Sequence, residues 1–369
     1  SDATYPACSY PAHRRRRLPI STPALASRRA TRAAELRRRR RRLLVLVLGV
    51  IVVLVIVIRW GLGGSAVSHR VASGSPVALG TARSPASRPV RVTPVGSLAA
   101  PVQDPAAAAV GGDAVALLGG LDRAGVSTAQ VVALSGAAPR AAGHLPAPQH
   151  DAQAALLGGS VYVFGGGDLA SYDHILAYDP TTGATTTAGR LPQAASDVAV
   201  ATLGGVAYIV GGYNGQSALD TIVAWPPGGP AKVVGHLPTP VRYAAVAAVG
   251  GRLIIAGGSV GTGATTAIES FDPATGTLRR IGRLPAQVTH GAAAALGSIV
   301  YLVGGRGANA DTPIAQILSV DPATGAVRRV GRLPKPLSDA AVLAVGDHIL
   351  VAGGRSGGAA QTGIYALKP

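Results

Sequence analysis

One phrase of the sequence occurs six times and constrains the fold more than any other feature. From Gly235 to Gly258 it reads GHLPTPVRYAAVAAVGGRLIIAGG: a Leu-Pro turn, an Ala/Val strand, a Gly turn, a second apolar strand and a Gly-Gly pair. Successive copies start 46 to 49 residues apart, a period that indicates a repeat architecture. The copies open at Gly96, Gly143, Gly189, Gly235, Gly282 and Gly331 and close at Gly119-Gly120, Gly165-Gly166, Gly211-Gly212, Gly257-Gly258, Gly304-Gly305 and Gly353-Gly354.

Each repeat is predicted to form four strands. In the repeat that opens at Gly282, these are Gly291–Leu296, Ile299–Val303, Ala315–Val320 and Ala326–Val330. Four-stranded units arranged around an axis make a β-propeller, and the first strand is nearly pure Ala and Val in every copy. Small side chains suit an innermost strand, because six such strands converge on the axis. The third and fourth strands are joined in three copies by an Asp-Pro-x-Thr-Gly tight turn, at Asp179–Gly183, Asp272–Gly276 and Asp321–Gly325.

The two ends of the repeat region complement each other. The last repeat stops at Thr362–Lys368, which supplies a third strand but no fourth. Pro89–Gly96 precedes the first repeat and matches the pattern of a fourth strand. We therefore predict that this N-terminal strand completes the last blade, which closes the ring, removes free sheet edges and gives six blades.

Residues 89–369 resemble the kelch-repeat β-propellers of the galactose-oxidase central-domain superfamily, in a membrane-anchored bacterial form. The resemblance rests on the Gly-Gly pairs, on Tyr178-Asp179-Pro180, and on a Tyr three residues before three of the pairs (Tyr162, Tyr208 and Tyr301). It departs from the family in the fourth strand, where the usual Trp is replaced by Thr187, Leu278 or Val327. The expected fold is all-β, a six-bladed kelch-type propeller. The copper-radical chemistry of galactose oxidase needs a Cys cross-linked to a Tyr, and the only cysteine is Cys8. No cofactor is predicted.

The N-terminal region accounts for nearly all of the formal charge of +17. Residues 1–42 hold 13 Arg, against 17 Lys and Arg and 15 Asp and Glu in residues 89–369. Residues 1–42 are predicted to be a disordered, Arg-rich cytoplasmic tail, and residues 65–88, rich in Gly, Ser, Ala and Pro, a flexible stalk. The Arg run is predicted to be a topology signal. The alternative is a nucleic-acid or anionic-lipid function, and no nucleic-acid partner is predicted.

A single transmembrane helix or signal anchor is predicted at residues 43–64. Its apolar run, Leu43–Ile58, is about 24 Å long as a helix, and Trp60 and the following residues extend it to a span. The six Arg before it place the N-terminus in the cytoplasm and the propeller outside, as a single-pass protein of the cell membrane. The alternative is a signal peptide cleaved after Ser68, since Ala66-Val67-Ser68 offers small residues.

Two sets of residues at the start of the inner strands are the candidate ligand site. They lie seven and eight residues after each opening Gly, on the face where the loops between strands four and one meet those between strands two and three. The first set is Gln103, His150, Ser196, Arg242, Thr289 and Ser338, and the second is Asp104, Asp151, Asp197, Tyr243, His290 and Asp339. Arg306 and Arg355 follow Gly-Gly pairs on the same face, with Tyr172-Asp173-His174 and Tyr213-Asn214 in the neighbouring loops. The alternative is that these positions are polar only because they are hydrated.

The leading hypothesis is a binding module for a cell-envelope glycan, peptide or protein, without an assigned catalytic residue or metal site. The blades differ in the chemistry of these residues, as an asymmetric ligand requires. The alternative is a carbohydrate-active enzyme resembling the kelch sialic-acid mutarotases, with His150, His290, Arg242 and the carboxylates as candidates. A structural scaffold is a third possibility. Both functional hypotheses predict that Arg242→Ala leaves folding intact and weakens ligand binding or turnover.

Overall fold

The computed structural model describes residues 89–136, 138–307, 309 and 312–369. Each blade is antiparallel throughout. In chain order, the strands of the first half of the domain are β1 (Arg91–Val102), β2 (Ala106–Gly111), β3 (Ala114–Leu118), β4 (Gln130–Ser135), β5 (Ala138–His144), β6 (His150–Leu157), β7 (Ser160–Gly167), β8 (His174–Tyr178), β9 (Thr185–Arg190), β10 (Ala199–Leu203), β11 (Val206–Val210), β12 (Thr221–Trp225) and β13 (Lys232–His236).

The second half of the domain repeats this order with two additional small hairpins. Its strands are β14 (Ala245–Val249), β15 (Arg252–Ala256), β16 (Ser259–Val260), β17 (Gly263–Ala264), β18 (Ala267–Asp272), β19 (Thr277–Arg283), β20 (Ala292–Leu296), β21 (Ile299–Val303), β22 (Gln316–Val320), β23 (Val327–Arg332), β24 (Ala341–Val345), β25 (His348–Ala352), β26 (Arg355–Ser356) and β27 (Ala359–Lys368).

Six blades surround one axis, as predicted. Blades 1 to 3 are β2 to β5, β6 to β9 and β10 to β13; blade 4 is β14-β15-β18-β19 and blade 5 is β20 to β23. Blade 6 is β24-β25-β27-β1, and its register pairs Arg91 with Lys368 and Val92 with Leu367. The N-terminal strand therefore closes the ring, which confirms the prediction from the two ends of the repeat region.

Each Gly-Gly pair is clamped between its own blade and the next. The N–H of Gly166 donates to the carbonyl oxygen of Ala195 in the next blade, at 2.9 Å. A Cβ on Gly165 would lie 2.0 Å from that oxygen, and one on Gly166 would lie 2.8 Å from the carbonyl oxygen of His150. Corresponding contacts recur at the other five pairs. The pair repeats because no side chain fits there, and it fixes where the next inner strand begins.

Apolar clusters between neighbouring blades form the core. Tyr208 and Tyr301, from the motif before the Gly-Gly pairs, are buried in two of these clusters. Trp225, at the end of β12 in blade 3, is fully buried, with ring centroids 4.8 Å from Tyr162 and 5.6 Å from Phe164 of blade 2. An aromatic side chain is thus supplied from the third strand at this junction. The burial of apolar side chains that stabilises the domain comes from contacts between blades, as in other repeat architectures.

The axis holds a cavity of about 440 Å³ that is lined by the innermost strands of all six blades. Most of its side chains are Ala or Val, which confirms that small residues line the axis. Within the described residues no helix is long and apolar enough to cross a membrane. The predicted tail (1–42), span (43–64) and stalk (65–88) lie outside the described residues.

Candidate functional site

Six residues at one end of the axis share an unusual backbone conformation. They are the non-glycine residues with positive φ in the described part of the chain, with values from 51° to 58°. We call them the mouth ring: Asp104, Asp151, Asp197, Tyr243, His290 and Asp339. They are the second predicted set of site residues, and the structure brings all six together. Strained backbone of this kind is often found at functional sites.

Backbone hydrogen bonds connect the mouth ring from blade to blade. The N–H of Asp104 donates to the carbonyl of Asp339 at 2.9 Å, and that of Asp339 to His290 at 3.0 Å. Asp197 donates to Asp151 at 2.9 Å, and Tyr243 to Asp197 at 3.0 Å. The axial cavity begins directly beyond this ring, since its lining includes residues that follow ring members, such as Pro105 and Ala340. The left-handed turn therefore places six side chains of three kinds, four Asp, one Tyr and one His, at the mouth of the channel.

The first predicted set, which we call the flanking ring, is held by the loops after the Gly-Gly pairs. Its members are Gln103, His150, Ser196, Arg242, Thr289 and Ser338. Thr289, for example, exchanges two backbone hydrogen bonds with Arg306, each 2.8 Å long. Gln103, Thr289 and Ser338 are buried. Hydration alone therefore does not account for these three polar positions.

The carboxyls of Asp104, Asp151 and Asp339 face one another across the mouth. Burial, followed by the charges of Asp151 and Asp339, raises the pKa of Asp104 well above its ordinary value. Burial and the charge of Asp197 raise the pKa of Asp151 well above its ordinary value, although the Tyr243 hydroxyl donates to Asp151 Oδ2 at 3.0 Å. Burial also raises the pKa of Asp339. Protons are therefore retained at this side of the mouth, where neighbouring carboxyls can share them.

His150 connects the acidic side of the mouth to the surface through two residues that the sequence prediction missed. Ser127 Oγ lies 2.9 Å from His150 Nδ1 and donates to Asp168 Oδ1 at 2.7 Å. His150 Nε2 lies 3.5 Å from Asp151 Oδ2. Since the single Ser127 proton is donated to Asp168, Nδ1 of His150 carries a proton and Nε2 is free to accept one. Burial lowers the pKa of His150, which favours this neutral form.

Ser127 and Asp168 come from loops whose lengths differ between repeats. Asp168 follows the Gly-Gly pair of blade 2, and Ser127 lies in the loop after the pair of blade 1. Counting from the opening Gly could not find them, because the period fixes only the start of each inner strand. The signal that the sequence offered for these two residues is that both follow a Gly-Gly pair, on the face to which the site residues are assigned.

Arg242 is enclosed rather than free. Its Nε donates to Asp197 Oδ2, and its guanidinium carbon lies 4.2 Å from the ring centroid of Tyr213 and 5.3 Å from that of Tyr243. Asp197 is buried, 3% exposed, so its carboxylate depends on this partner. The expectation that Arg242→Ala leaves folding intact is corrected here, because removing the guanidinium would leave a buried carboxylate without its countercharge.

His290 is held neutral by its surroundings. Its ring stacks on Tyr243 with centroids 3.6 Å apart, Arg306 Nη2 lies 2.6 Å from its Nε2, and Thr289 Oγ1 lies 3.0 Å from its Nδ1. An Arg only donates, so Nε2 accepts and Nδ1 carries the proton. Burial, followed by the charges of Arg306, Arg242 and Arg355, lowers the pKa of His290 to about 2. Both ring nitrogens are engaged, so His290 orients Arg306.

Arg306 and Arg355 stand on neighbouring blades, 5 and 6, and are half-buried. Neither forms an ion pair with a carboxylate of the described residues. Both charges reach His290 and Asp339, since each lowers the pKa of those groups. Arg306 and Arg355 therefore share blades 5 and 6 with the Asp339 carboxyl, whereas Asp104, Asp151, Asp197 and His150 lie on blades 1 to 3.

The remaining predicted loop residues in blade 2 are partly occupied by contacts within that blade. His174 Nε2 lies 2.8 Å from Gln149 Oε1, and Asp173 pairs with Arg190 at 2.7 Å. Tyr172 lies beside His174, with ring centroids 4.9 Å apart. Among the described residues no group of three or more His, Cys, Asp or Glu has the arrangement of a metal site.

Comparison with known proteins agrees with the propeller fold. Residues 240–284, which contain Arg242, Tyr243 and the Gly257-Gly258 pair, match the family model of the kelch motif. The domain is a six-bladed propeller that contains a kelch motif. Its structure is similar to that of YjhT, with a TM-score of 0.65 and 19% sequence identity over 74% of this chain and 96% of YjhT. At that identity the likeness shows the fold alone. No curated protein matches the chain.

Proposed function

We propose that this kelch propeller is a binding module whose mouth takes an anionic ligand, namely a carboxylated glycan or an acidic peptide segment of the cell envelope. The observation that carries the proposal is the pair Arg306 and Arg355, which are half-buried without a carboxylate partner among the described residues. A half-buried cation without a countercharge is costly unless an anion completes it. Two guanidiniums on adjacent blades can both donate hydrogen bonds to a carboxylate.

The neighbouring groups support the same ligand chemistry. His290 accepts from Arg306 and is neutral, so it orients a guanidinium without adding a competing charge. Tyr213 and Tyr243 flank Arg242 and give the mouth aromatic surface. The carboxyls of Asp104 and Asp151, whose pKa values are raised by burial, can form hydrogen bonds with hydroxyl groups of the rest of the ligand. The site thus offers two guanidiniums for an anion on one side and hydrogen-bonding carboxyls on the other.

The cellular setting of the proposal comes from the N-terminal sequence. A single-pass anchor at residues 43–64, with the Arg-rich tail in the cytoplasm, would present the propeller outside the cell membrane. Envelope polymers and neighbouring proteins would then be the available ligands. A protease-accessibility assay on intact cells tests this placement, because an extracytoplasmic propeller is digested by added protease whereas a cytoplasmic one is protected.

Binding of oligogalacturonate and of oligoglutamate by fragment 89–369 tests the proposal, with oligogalactose and oligoglutamine as neutral counterparts. We expect one acidic ligand to bind and its neutral counterpart to bind much less. Arg306→Gln and Arg355→Gln should each weaken binding roughly 10- to 100-fold, the range of one hydrogen bond to a charged group. Lys232→Gln, an exposed charge on β13, is the matched control. Equal binding of neutral ligands, or full binding by Arg355→Gln, would contradict the proposal.

A second candidate is a carbohydrate-active enzyme resembling the kelch sialic-acid mutarotases. It is favoured by His150, whose pKa is lowered, and Asp151, whose pKa is raised, with His150 Nε2 and Asp151 Oδ2 3.5 Å apart. Opening a sugar ring needs an acid and a base of this kind. His290 is a poor candidate base, since both of its nitrogens are engaged and its pKa is about 2.

Anomeric exchange of sialic acid, followed by NMR, tests this second function. The enzyme hypothesis expects acceleration by fragment 89–369 and its loss in His150→Gln and Asp151→Asn. His348→Gln, which changes a histidine in blade 6 outside the mouth ring, is the control. An unchanged exchange rate together with tight binding of the sugar would leave the binding module as the function.

A further inference from the structure

Arginines are concentrated on the outermost strands of blades 4 and 5. β19 carries Arg279, Arg280 and Arg283, and β23 carries Arg328, Arg329 and Arg332, all exposed. Arg280 pairs with Glu269 at 2.8 Å, whereas the other five form no ion pair with a carboxylate of the described residues. The edge of two neighbouring blades is therefore strongly cationic.

The outermost strands of blades 1 to 3 differ. β5, β9 and β13 each carry a single Arg or Lys, namely Arg140, Arg190 and Lys232. Arg190 is neutralised by Asp173, and β13 leaves Val233 and Val234 partly exposed. Charged residues on edge strands can serve to block edge-to-edge pairing. That role would apply to all six blades, so it does not explain a cluster on two of them.

The polypeptide joins the propeller beside this cluster. The N–H of Val90 donates to the carbonyl oxygen of Val330 in β23 at 2.7 Å. A Cβ on Gly331 would lie 3.2 Å from Val90, so the two segments are in contact. Arg91, exposed at the start of β1, adds a further cation at this junction. Upstream of Pro89 the sequence contains the apolar run Leu43–Ile58, the predicted membrane span.

We propose that this arginine rim, defined as Arg91, Arg279, Arg283, Arg328, Arg329 and Arg332, docks on the anionic lipid headgroups of the membrane that the N-terminal segment enters. Each basic side chain near an anionic bilayer strengthens attraction roughly fivefold, so a cluster of this size gives stable but salt-sensitive binding. Guanidiniums are suited to lipid phosphates because they bind them in a bidentate manner. Docking by the rim would fix the orientation of the propeller relative to the bilayer.

Co-sedimentation with vesicles tests the arginine rim. Residues 89–369 contain every strand of the closed ring and belong to one compact unit, so this fragment is suitable. It is mixed with vesicles of phosphatidylcholine alone, or of phosphatidylcholine with phosphatidylglycerol, at low and at physiological salt. The rim variant is Arg279→Gln, Arg328→Gln and Arg329→Gln together. The control removes the same charge from the other blades, as Arg140→Gln, Arg190→Gln and Lys232→Gln.

We expect binding only to the phosphatidylglycerol vesicles, weakened by salt, with at least about a tenfold loss in the rim variant and little loss in the control. Circular dichroism of both variants verifies the fold. Equal losses in the two variants would overturn the proposal, because net charge rather than the rim would be responsible. Absence of binding, or equal binding to phosphatidylcholine alone, would overturn it as well. Binding of a soluble polyanion such as heparin without vesicle binding would exclude lipid as the partner.

Discussion

The Gly-Gly pairs and the mouth ring both occur once per blade, and both have positive φ in all six copies. The pairs never vary in side chain, whereas the mouth ring contains Asp, Tyr and His. Their surroundings explain the difference, since a Cβ on the first Gly of each pair would lie 2.0 to 2.5 Å from a backbone oxygen of the next blade. The mouth ring lies next to the axial cavity, whose lining begins at residues that follow ring members, such as Pro105 and Ala340. The same backbone conformation is thus fixed in composition where blades meet and variable in composition at the mouth of the axis.

The largest effect is expected at the pairs. In Gly165→Ala the new Cβ would collide with the Ala195 carbonyl oxygen, so the blades must separate and the hydrogen bond from Gly166 is strained. We expect a loss of at least about 3 kcal/mol in the free energy of unfolding, the scale of severe overpacking. Urea denaturation measures it.

Gly158→Ala provides the control for this collision. Gly158 also has positive φ, 58°, but a Cβ there meets no atom within 4 Å. The expected loss is about 1 kcal/mol, from the left-handed conformation alone. If the two variants lost the same stability, the clamp between blades would not explain why Gly-Gly is repeated.

An intermediate effect is expected at Arg242, where the variable ring is tied to the fold. Arg242→Ala leaves the Asp197 carboxylate buried without a countercharge, which costs about 3 kcal/mol. Adding Asp197→Asn should recover a large part of that loss, because the remaining amide is neutral. Thermal unfolding of the single and double variants checks this. A fully stable Arg242→Ala protein would restore the expectation drawn from the sequence.

A smaller, pH-dependent effect is expected at Asp104. The pKa of its carboxyl is raised in the folded protein, so the folded state binds this proton more tightly than the unfolded state does. Its contribution to stability is therefore present below the unfolded pKa of about 3.9 and is lost as pH rises through the folded value. Asp104→Asn should be more stable than the parent protein near pH 7, by about 1 kcal/mol, and should not be more stable near pH 4.

The stability difference between Asp104→Asn and the parent, measured by urea denaturation from pH 4 to pH 8, tests this. Asp113→Asn, an exposed carboxylate in the turn between β2 and β3, is the control and should change little across that range. A difference that does not depend on pH would mean that proton retention at the mouth ring does not affect folding.

Much of the fold could be predicted from the sequence, because the number and spacing of the repeats indicate the number of blades in the ring. The blade count, the closing strand at Pro89–Gly96 and the small residues of the innermost strands were all predicted and confirmed. The Asp-Pro-x-Thr-Gly turns also form as expected, with Asp179 Oδ1 accepting from the Thr181 N–H at 2.8 Å. The membrane span and the ligand remain predictions.

For the site, the sequence determined which positions reach the axis, since a constant count from each opening Gly leads to the mouth ring. Tertiary structure alone decided which of these side chains are paired. Arg242 and Asp197 lie on different blades, and Ser127 reaches His150 from a loop of another blade. Contacts between side chains around the axis depend on how the loops of six blades converge. The spacing of residues along the chain does not show this. For that reason only the structure separates Arg242, which is paired with Asp197, from Arg306 and Arg355, which form no ion pair with a carboxylate of the described residues.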